Sequence, residues 1–460
     1  MMSVDSFGIR PCDSPAISER IVSTTLNAIQ KLLPAETIER LCRQVGYLWR
    51  ERTLSPAVTV LHMILAAIWP EESFNASWQV LWAAVSSRYP ELAGKSPSRG
   101  SVSKARARLP LALWEQLFAV VSRQAQALAE GFACWKDHRV VLLDGTCVSM
   151  PDEPELAETF GVNTGYRGKG RYPLARVATF CLAGTMSVIA YAVGGYRQSE
   201  SALAFPLLSA LRTGDLLLAD RYFAAAHFYW RYRLAGLEFL TRIHQRLKIA
   251  RIKRVCSYGP GDFIGWLKIS PIYRRKDPSL PEKFQVRFVR ASVRIRGRQQ
   301  TIWLATSLLD AQRYPAAEVV AVYARRWRIE TVFEQLKVRL SADVLRSRSA
   351  ESIRKELAAR FIALNLVHSV ILESARAHDV EPLRISFAHA VRAILAFSPA
   401  LANEPLGRLP AIYSAMLSEI AHHLVPERAG RNEPRAIRRD RKHYPTLKTT
   451  RAEWRKRHAA

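Results

Sequence analysis

Two aspartates close apolar runs: VVLLD ends at Asp144 and DLLLAD ends at Asp220. A carboxylate at the C-terminal end of a buried strand is held rigidly. It points into the crevice at the sheet edge, where open α/β sheets bind ligands. Two such groups on neighbouring strands repel each other unless a cation compensates them. Mg²⁺ prefers oxygen donors of this kind. Taken singly, each aspartate reads more readily as a turn former or helix cap than as a ligand. A third acid gives the pair its meaning.

That acid stands in YARRWRIETVFEQLK, residues 323–337. At about 100° per residue, Tyr323, Arg326, Glu330 and Lys337 fall in a stripe roughly 60° wide. Val322, Ile329, Phe333, Leu336 and Leu340 form the apolar face beside it. A carboxylate flanked by two cations suits a metal site that also holds phosphates. The plainer alternative is an exposed helix laced with ion pairs.

The elements that position these residues are legible in outline. VVLLD (140–144), LARVATFCLAG (174–184), SVIAYAVGG (187–195), DLLLAD (215–220) and LEFLTRI (237–243) read as strands, several buried on both faces. Helical patterns fill 199–212 and 223–235, giving three strands, helix, strand, helix, strand. More strands are expected between about 247 and 308, then a long helix from about Pro315 to Leu340. Residues 1–132 read as helical. Ile38, Leu41, Val45 and Leu48 are spaced for one helix face, and Pro56 to Ile68 for an apolar helix. SVSKARARLPLALWEQLF reads as a helix capped by Ser101 or Ser103, with Lys104 and Arg108 on one face. Residues 346–426 are helical again. Glu427 to Ala460 carries 12 Lys/Arg and 4 Asp/Glu and reads as a flexible basic arm.

The chain has 460 residues and a formal net charge of +28, which points to a polyanionic partner, nucleic acid by default. The six cysteines are scattered, without zinc or disulfide spacing. The N-terminus, MMSVDSFGIRPCDSP, does not read as a signal peptide. The longest apolar run, Val58 to Trp69, is too short to span a bilayer. A cytoplasmic, nucleoid-associated protein is expected.

Y-x2-R-x3-E-x6-K, matched by Tyr323, Arg326, Glu330 and Lys337, resembles the signature of DDE transposases of the insertion-sequence-four group. DGT at 144–146 and ADRYF at 219–223 look like that family's two aspartate motifs. Intervals of 76 and then 110 residues separate the three acids, and the longer resembles the family's β-strand insertion. The resemblance covers roughly 30–450. It implies an α/β fold: a ribonuclease-H-like catalytic domain at 136–345 with a β-insertion at about 247–308. A helical N-terminal domain at 1–132 and helical C-terminal and basic regions at 346–426 and 427–460 flank it. It implies Asp144, Asp220 and Glu330 as catalytic metal ligands for two Mg²⁺ ions, with Mn²⁺ able to substitute. The activity implied is cut-and-paste transposition: cleavage at transposon ends, then strand transfer. The partners implied are terminal inverted repeats, target DNA and a second copy of the chain in a synaptic homodimer.

Other expectations are finer. Tyr323, Arg326 and Lys337 would contact DNA. Arg221 reads as a phosphate contact or a local salt bridge. Lys104 and Arg108, with Arg106, are candidates for transposon-end recognition. Trp303, with Trp266 as an earlier candidate, could stack on a flipped base or simply pack a sheet face. Glu200 reads as an N-terminal helix acid. Asp215 begins the strand that Asp220 ends, so it is not expected as a ligand. The rival readings are a nuclease or resolvase that does not join strands, and a non-catalytic DNA-binding derivative.

Overall fold

A computed structural model of the chain describes residues 27–50, 52–69, 73–165, 168–295, 298–403, 406–426 and 456. The basic arm from Glu427 lies outside these residues, Lys456 excepted.

After a single helical turn at Asn27–Gln30, the N-terminal helices are α1 (Ala35–Gln44), α2 (Pro56–Ile68), α3 (Phe74–Arg88), α4 (Arg99–Arg108) and α5 (Leu111–Leu128). Helix α1 buries Ile38 and Leu41 as their spacing predicts. Leu48, expected on the same face, is 84% exposed. The helix ends at Gln44, and Gly46 turns the chain with φ 73°. Every residue of α2 is buried. The helix expected across 101–118 is two helices, because Pro110 cannot continue the first. Its cap is Ser98, whose Oγ accepts from the Ser101 N–H at 3.2 Å, rather than Ser101 or Ser103.

An 11-stranded sheet follows. Its main strands are β1 (His138–Ser149), β2 (Gly168–Leu182), β3 (Val188–Gly195), β4 (Leu216–Ala219), β5 (Glu238–Arg242), β6 (Lys253–Gly259), β7 (Asp262–Lys268), β8 (Lys283–Ile295) and β9 (Arg298–Thr306). Their order is β3–β2–β1–β4–β5–β9–β8–β7–β6, with short strands Cys134–Trp135 on β1 and Val162–Gly165 on β2. Pairing is parallel for β1–β4 and β4–β5 and antiparallel elsewhere. The expected order of three strands, helix, strand, helix, strand is present. Helix α6 (Glu200–Ala204) runs into a 3₁₀ segment (Phe205–Ala210), and α7 (Ala226–Leu234) links β4 to β5. The strands expected within 247–308 are β6 to β9, which extend the same sheet through β9 beside β5.

Period-two alternation assigns the sheet's faces. Val140, Leu142, Leu216, Leu218, Leu240, Ile302 and Leu304 belong to the core shared with the N- and C-terminal helices. Val141, Leu143, Leu217, Ala219 and Phe239 pack on the opposite face with Phe223, Tyr229 and Tyr232.

The long helix expected from Pro315 to Leu340 changes its winding along its length. It comprises α8 (Ala316–Ala324), a 3₁₀ turn (Arg325–Trp327), α9 (Arg328–Glu334) and a π turn (Gln335–Arg339). Helices α10 (Ala350–Ala377), α11 (Phe387–Asn403) and α12 (Leu409–His422) complete the fold. By length and composition α10 could cross a membrane; here 94% of its apolar window is buried inside the fold. Its Asn365 side chain satisfies the buried Val188 N–H and C=O at 2.8 and 2.9 Å.

Candidate active site

The parallel register of β1 and β4 brings two carboxylates together. Its last pair is Leu143 with Ala219, so Asp144 and Asp220 each stand one residue beyond it. They follow Leu143 and Ala219, so alternation turns both toward the face that carries α8 and α9. Asp220 ends its strand, as expected. Asp144 does not: β1 continues to Ser149, paired with β2 throughout. What ends at Asp144 is pairing on the β4 side, and that opens the crevice.

Asp144 Oδ1 accepts from the Gly145 N–H and Asp220 Oδ1 from the Tyr222 N–H, both at 2.8 Å. Burial pushes the Asp144 carboxyl up to about 6. The Gly145 N–H and Arg326 work against that shift, and the Asp220 charge adds to it.

Helices α8 and α9 supply the other wall. Tyr323 and Arg326 are each 6% exposed, and Glu330 is exposed in the first turn of α9. Tyr323 Oη donates to the Ala219 carbonyl at 3.5 Å, which ties the helix to the strand beside Asp220. Burial pushes its phenol up to about 12. Arg326 Nη1 lies 3.5 Å from Asp144 Oδ2, and its guanidinium covers the Trp327 ring at 4.1 Å. Asp144, Asp220, Tyr323, Arg326 and Glu330 line one cavity of about 600 Å³.

This is a hard-oxygen donor set suited to a divalent cation. The Thr179 hydroxyl, cross-strand from Asp144, is buried without a partner among the described residues, so the site has unused polar capacity. The three acids share the cavity without forming a tight cluster. Among the described residues, only His389, Glu419 and His423 bring three ligand atoms within 4.8 Å of one another. Arg326 occupies one side of Asp144.

The remaining expected residues divide. Arg221 lines the cavity and donates to Gln245 Oε1 at 3.4 Å. Lys337 lies in the π turn, outside the cavity lining, and acts electrostatically on Cys147 of β1. The altered winding before it defeats a uniform helical wheel. Trp303 follows Ile302, which lines the cavity, and therefore faces the other side of the sheet. It packs edge-on against Phe263 at 5.9 Å. Trp266 lies on β7 under Lys283, also outside the cavity lining. Asp215 is buried and held bidentately by Arg139 at 2.6 and 2.9 Å, which accords with its exclusion as a ligand.

Lys104 and Arg108 are exposed on α4, whereas Arg106 turns inward over the Phe74 ring at 3.5 Å. Arg108 shares a smaller cavity with Tyr47, Trp49, Arg50 and Arg52. Sequence reasoning missed this basic and aromatic group. It also missed Arg242, Tyr222 and Trp327 at the main cavity. Tyr222 is 68% and Trp327 53% exposed. A clue to Trp327 was available, since at about 100° per residue it falls about 40° beyond Tyr323, next to the helical stripe.

A family model described as "Transposase DDE domain" matches residues 135–366, which include all three acids. The chain is 27% identical over 315 residues to the transposase InsG of insertion sequence element IS4 from Escherichia coli K12. That alignment covers 68% of this chain and 70% of InsG. It is 29% identical over 127 residues to the putative transposase InsZ of the same organism, covering 27% of this chain and 42% of InsZ. Among solved structures, the piggyBac transposase synaptic complex with hairpin DNA aligns over 91% of this chain and 85% of that one. Its TM-score is 0.39 and its identity 11%. The match over 135–366 spans half the sequence, and the chain belongs to the family of transposases with a DDE domain.

Proposed function

We propose that Asp144, Asp220 and Glu330 hold two Mg²⁺ ions, replaceable by Mn²⁺, for cleavage at transposon ends and transfer of the freed 3′ ends into target DNA. One observation carries this reading. Three acids from two strands and a helix, far apart in sequence, line a single cavity with a buried arginine. When bound, the ions activate the attacking oxygen and neutralise charge on the leaving one.

The chain's own groups fix the geometry. Asp144 and Asp220 sit on rigid, paired backbone, and Tyr323 anchors the helix carrying Glu330 to the end of β4. Arg326 is buried beside Asp144, where a phosphate oxygen can replace the carboxylate as its acceptor. Arg221 and Lys337 extend positive charge along the crevice for the DNA backbone. Trp327, exposed at the cavity, offers a stacking face for an unpaired base better than Trp303 does. Lys104 and Arg108, with Tyr47, Trp49, Arg50 and Arg52 nearby, form a second surface for the terminal repeats. A homodimer would pair the two ends.

The order β3–β2–β1–β4–β5, antiparallel through its first three strands and parallel through its last three, supports a ribonuclease-H-like catalytic core with β6–β9 inserted.

The test uses duplex DNA bearing the inverted repeats that flank the coding region, together with plasmid target and Mg²⁺. Expected products are free 3′-OH ends at the repeat boundary and covalently joined repeat–target DNA. Cleavage with no joined product at any metal concentration would replace transposition with simple nuclease activity.

A further inference from the structure

Glu200 sits at the other side of the Asp144 strand. Helix α6 begins at Glu200, capped by Ser199, whose Oγ accepts from the Ala202 N–H at 3.1 Å. The Glu200 side chain lies across Gly145, the residue after Asp144. A Cβ built on Gly145 would stand 2.3 Å from the Glu200 carboxyl carbon and 2.7 Å from its Oε1. No side chain larger than hydrogen fits there without moving the carboxylate. Gly145 thus leaves room for this close approach, and it does so without a positive φ.

Glu200 also lies within electrostatic reach of both aspartates. Its nearest cation is Arg176 of β2, at 3.8 Å. That is a long contact, and it leaves the carboxylate oxygens weakly satisfied by protein. A half-buried acid placed so near two others is unfavourable through repulsion unless it shares their counter-charge.

We propose that Glu200 is a fourth carboxylate of the metal site, binding on the Gly145 side of Asp144 and raising affinity for the ion that Asp144 holds. The inference rests on the assignment of Asp144 and Asp220 as metal ligands. Glu200 lies on the Gly145 side of β1, outside the cavity lining, and would reach an ion held by Asp144 past the point where the β1–β4 pairing ends. Arg176 holds Glu200 in reserve and competes with the ion for it.

The test titrates Mn²⁺ alone against full-length protein, followed by electron paramagnetic resonance of free Mn²⁺, with thermal unfolding of each variant recorded in parallel. Glu200→Gln and Gly145→Ala should each weaken Mn²⁺ binding about tenfold or more. In DNA cleavage they should raise the half-saturating metal concentration by a similar factor, with activity recovered at high Mn²⁺. Arg176→Gln, which removes only the ion pair, should bind Mn²⁺ as tightly as wild type or more so. Wild-type Mn²⁺ affinity in folded Glu200→Gln, with binding lost in Asp144→Asn, would overturn the role of Glu200 and leave the triad standing. Unchanged binding in Asp144→Asn as well would overturn both. Equal weakening by Arg176→Gln and Glu200→Gln would reduce Glu200 to a structural ion-pair partner. If Glu200→Gln proves unfolded, Gly145→Ala and Glu200→Asp decide by the same titration.

Discussion

Asp144 and Asp220 are neighbours because of a register. Leu143 and Ala219 form the last pair of the parallel ladder between β1 and β4, and each aspartate follows directly. Shifting that ladder by one residue would turn one carboxylate to the opposite face. The site is thus specified by the buried leucines of β1 and β4 as much as by the acids.

Burial of Asp144 beside a second acid has a consequence for stability. In metal-free protein Asp144 has its carboxyl raised to about 6 from 3.8, mainly by burial. The folded state therefore binds the proton more tightly than the unfolded chain. The stabilisation is fully present below about pH 3.8 and is lost as pH rises through about 6. Asp144→Asn should stabilise metal-free protein at pH 7 by on the order of 1–3 kcal/mol. Denaturant melts with and without chelator check this. Added Mg²⁺ should stabilise wild type and leave Asp144→Asn little changed.

Arg326 is expected to serve chemistry more than folding. Arg326→Lys keeps the charge but loses the planar fork that can face Asp144 and a phosphate together. Cleavage should fall ~10²-fold, mainly in the single-turnover rate with DNA saturating. A variant that cleaves at the wild-type rate would place Arg326 outside the chemical step.

Trp327 and Trp303 should separate cleanly. Trp327→Ala removes an exposed ring at the cavity and should cost about 1–3 kcal/mol in binding to an end with an unpaired base, with little change in melting. Trp303→Ala removes packing against Phe263 and should destabilise the fold by about 1–3 kcal/mol while leaving that binding intact. Fluorescence anisotropy and thermal melts of both variants distinguish the roles.

Lys104→Ala with Arg108→Ala should weaken binding to terminal-repeat duplex. The log–log dependence of affinity on salt should become shallower by about 2 if each neutralises one phosphate. Single-turnover cleavage at saturating DNA should be unaffected. An unchanged salt slope would remove α4 from the interface.

Much of this arrangement was legible in sequence, for identifiable reasons. Strands such as Leu216–Ala219 are buried on both faces and therefore read as unbroken apolar runs. The strands expected within 247–308 showed by alternation, and they form β6 to β9. What sequence left hidden was mostly tertiary. VVLLD looks like a strand ending at Asp144, because polar residues follow; pairing with β2 keeps them in the strand after β4 has ended. Alternation separates Trp303 from Ile302 but does not say which of them meets the cavity. The 3₁₀ and π turns break the uniform winding on which the stripe was drawn, and no residue type in 325–339 announces them. Glu200 looked like any N-terminal helix acid. Its one clue was Gly145, a glycine inside a strand where a backbone approach must be close.

The most direct measurement is Mg²⁺-dependent cleavage of terminal-repeat DNA by Asp144→Asn, Asp220→Asn and Glu330→Gln, each shown by melting to be folded. All three should lose the single-turnover cleavage rate by ~10³-fold or more while still binding DNA. Wild-type cleavage by any one of these folded variants would contradict the assignment of that residue and, with it, the three-carboxylate site.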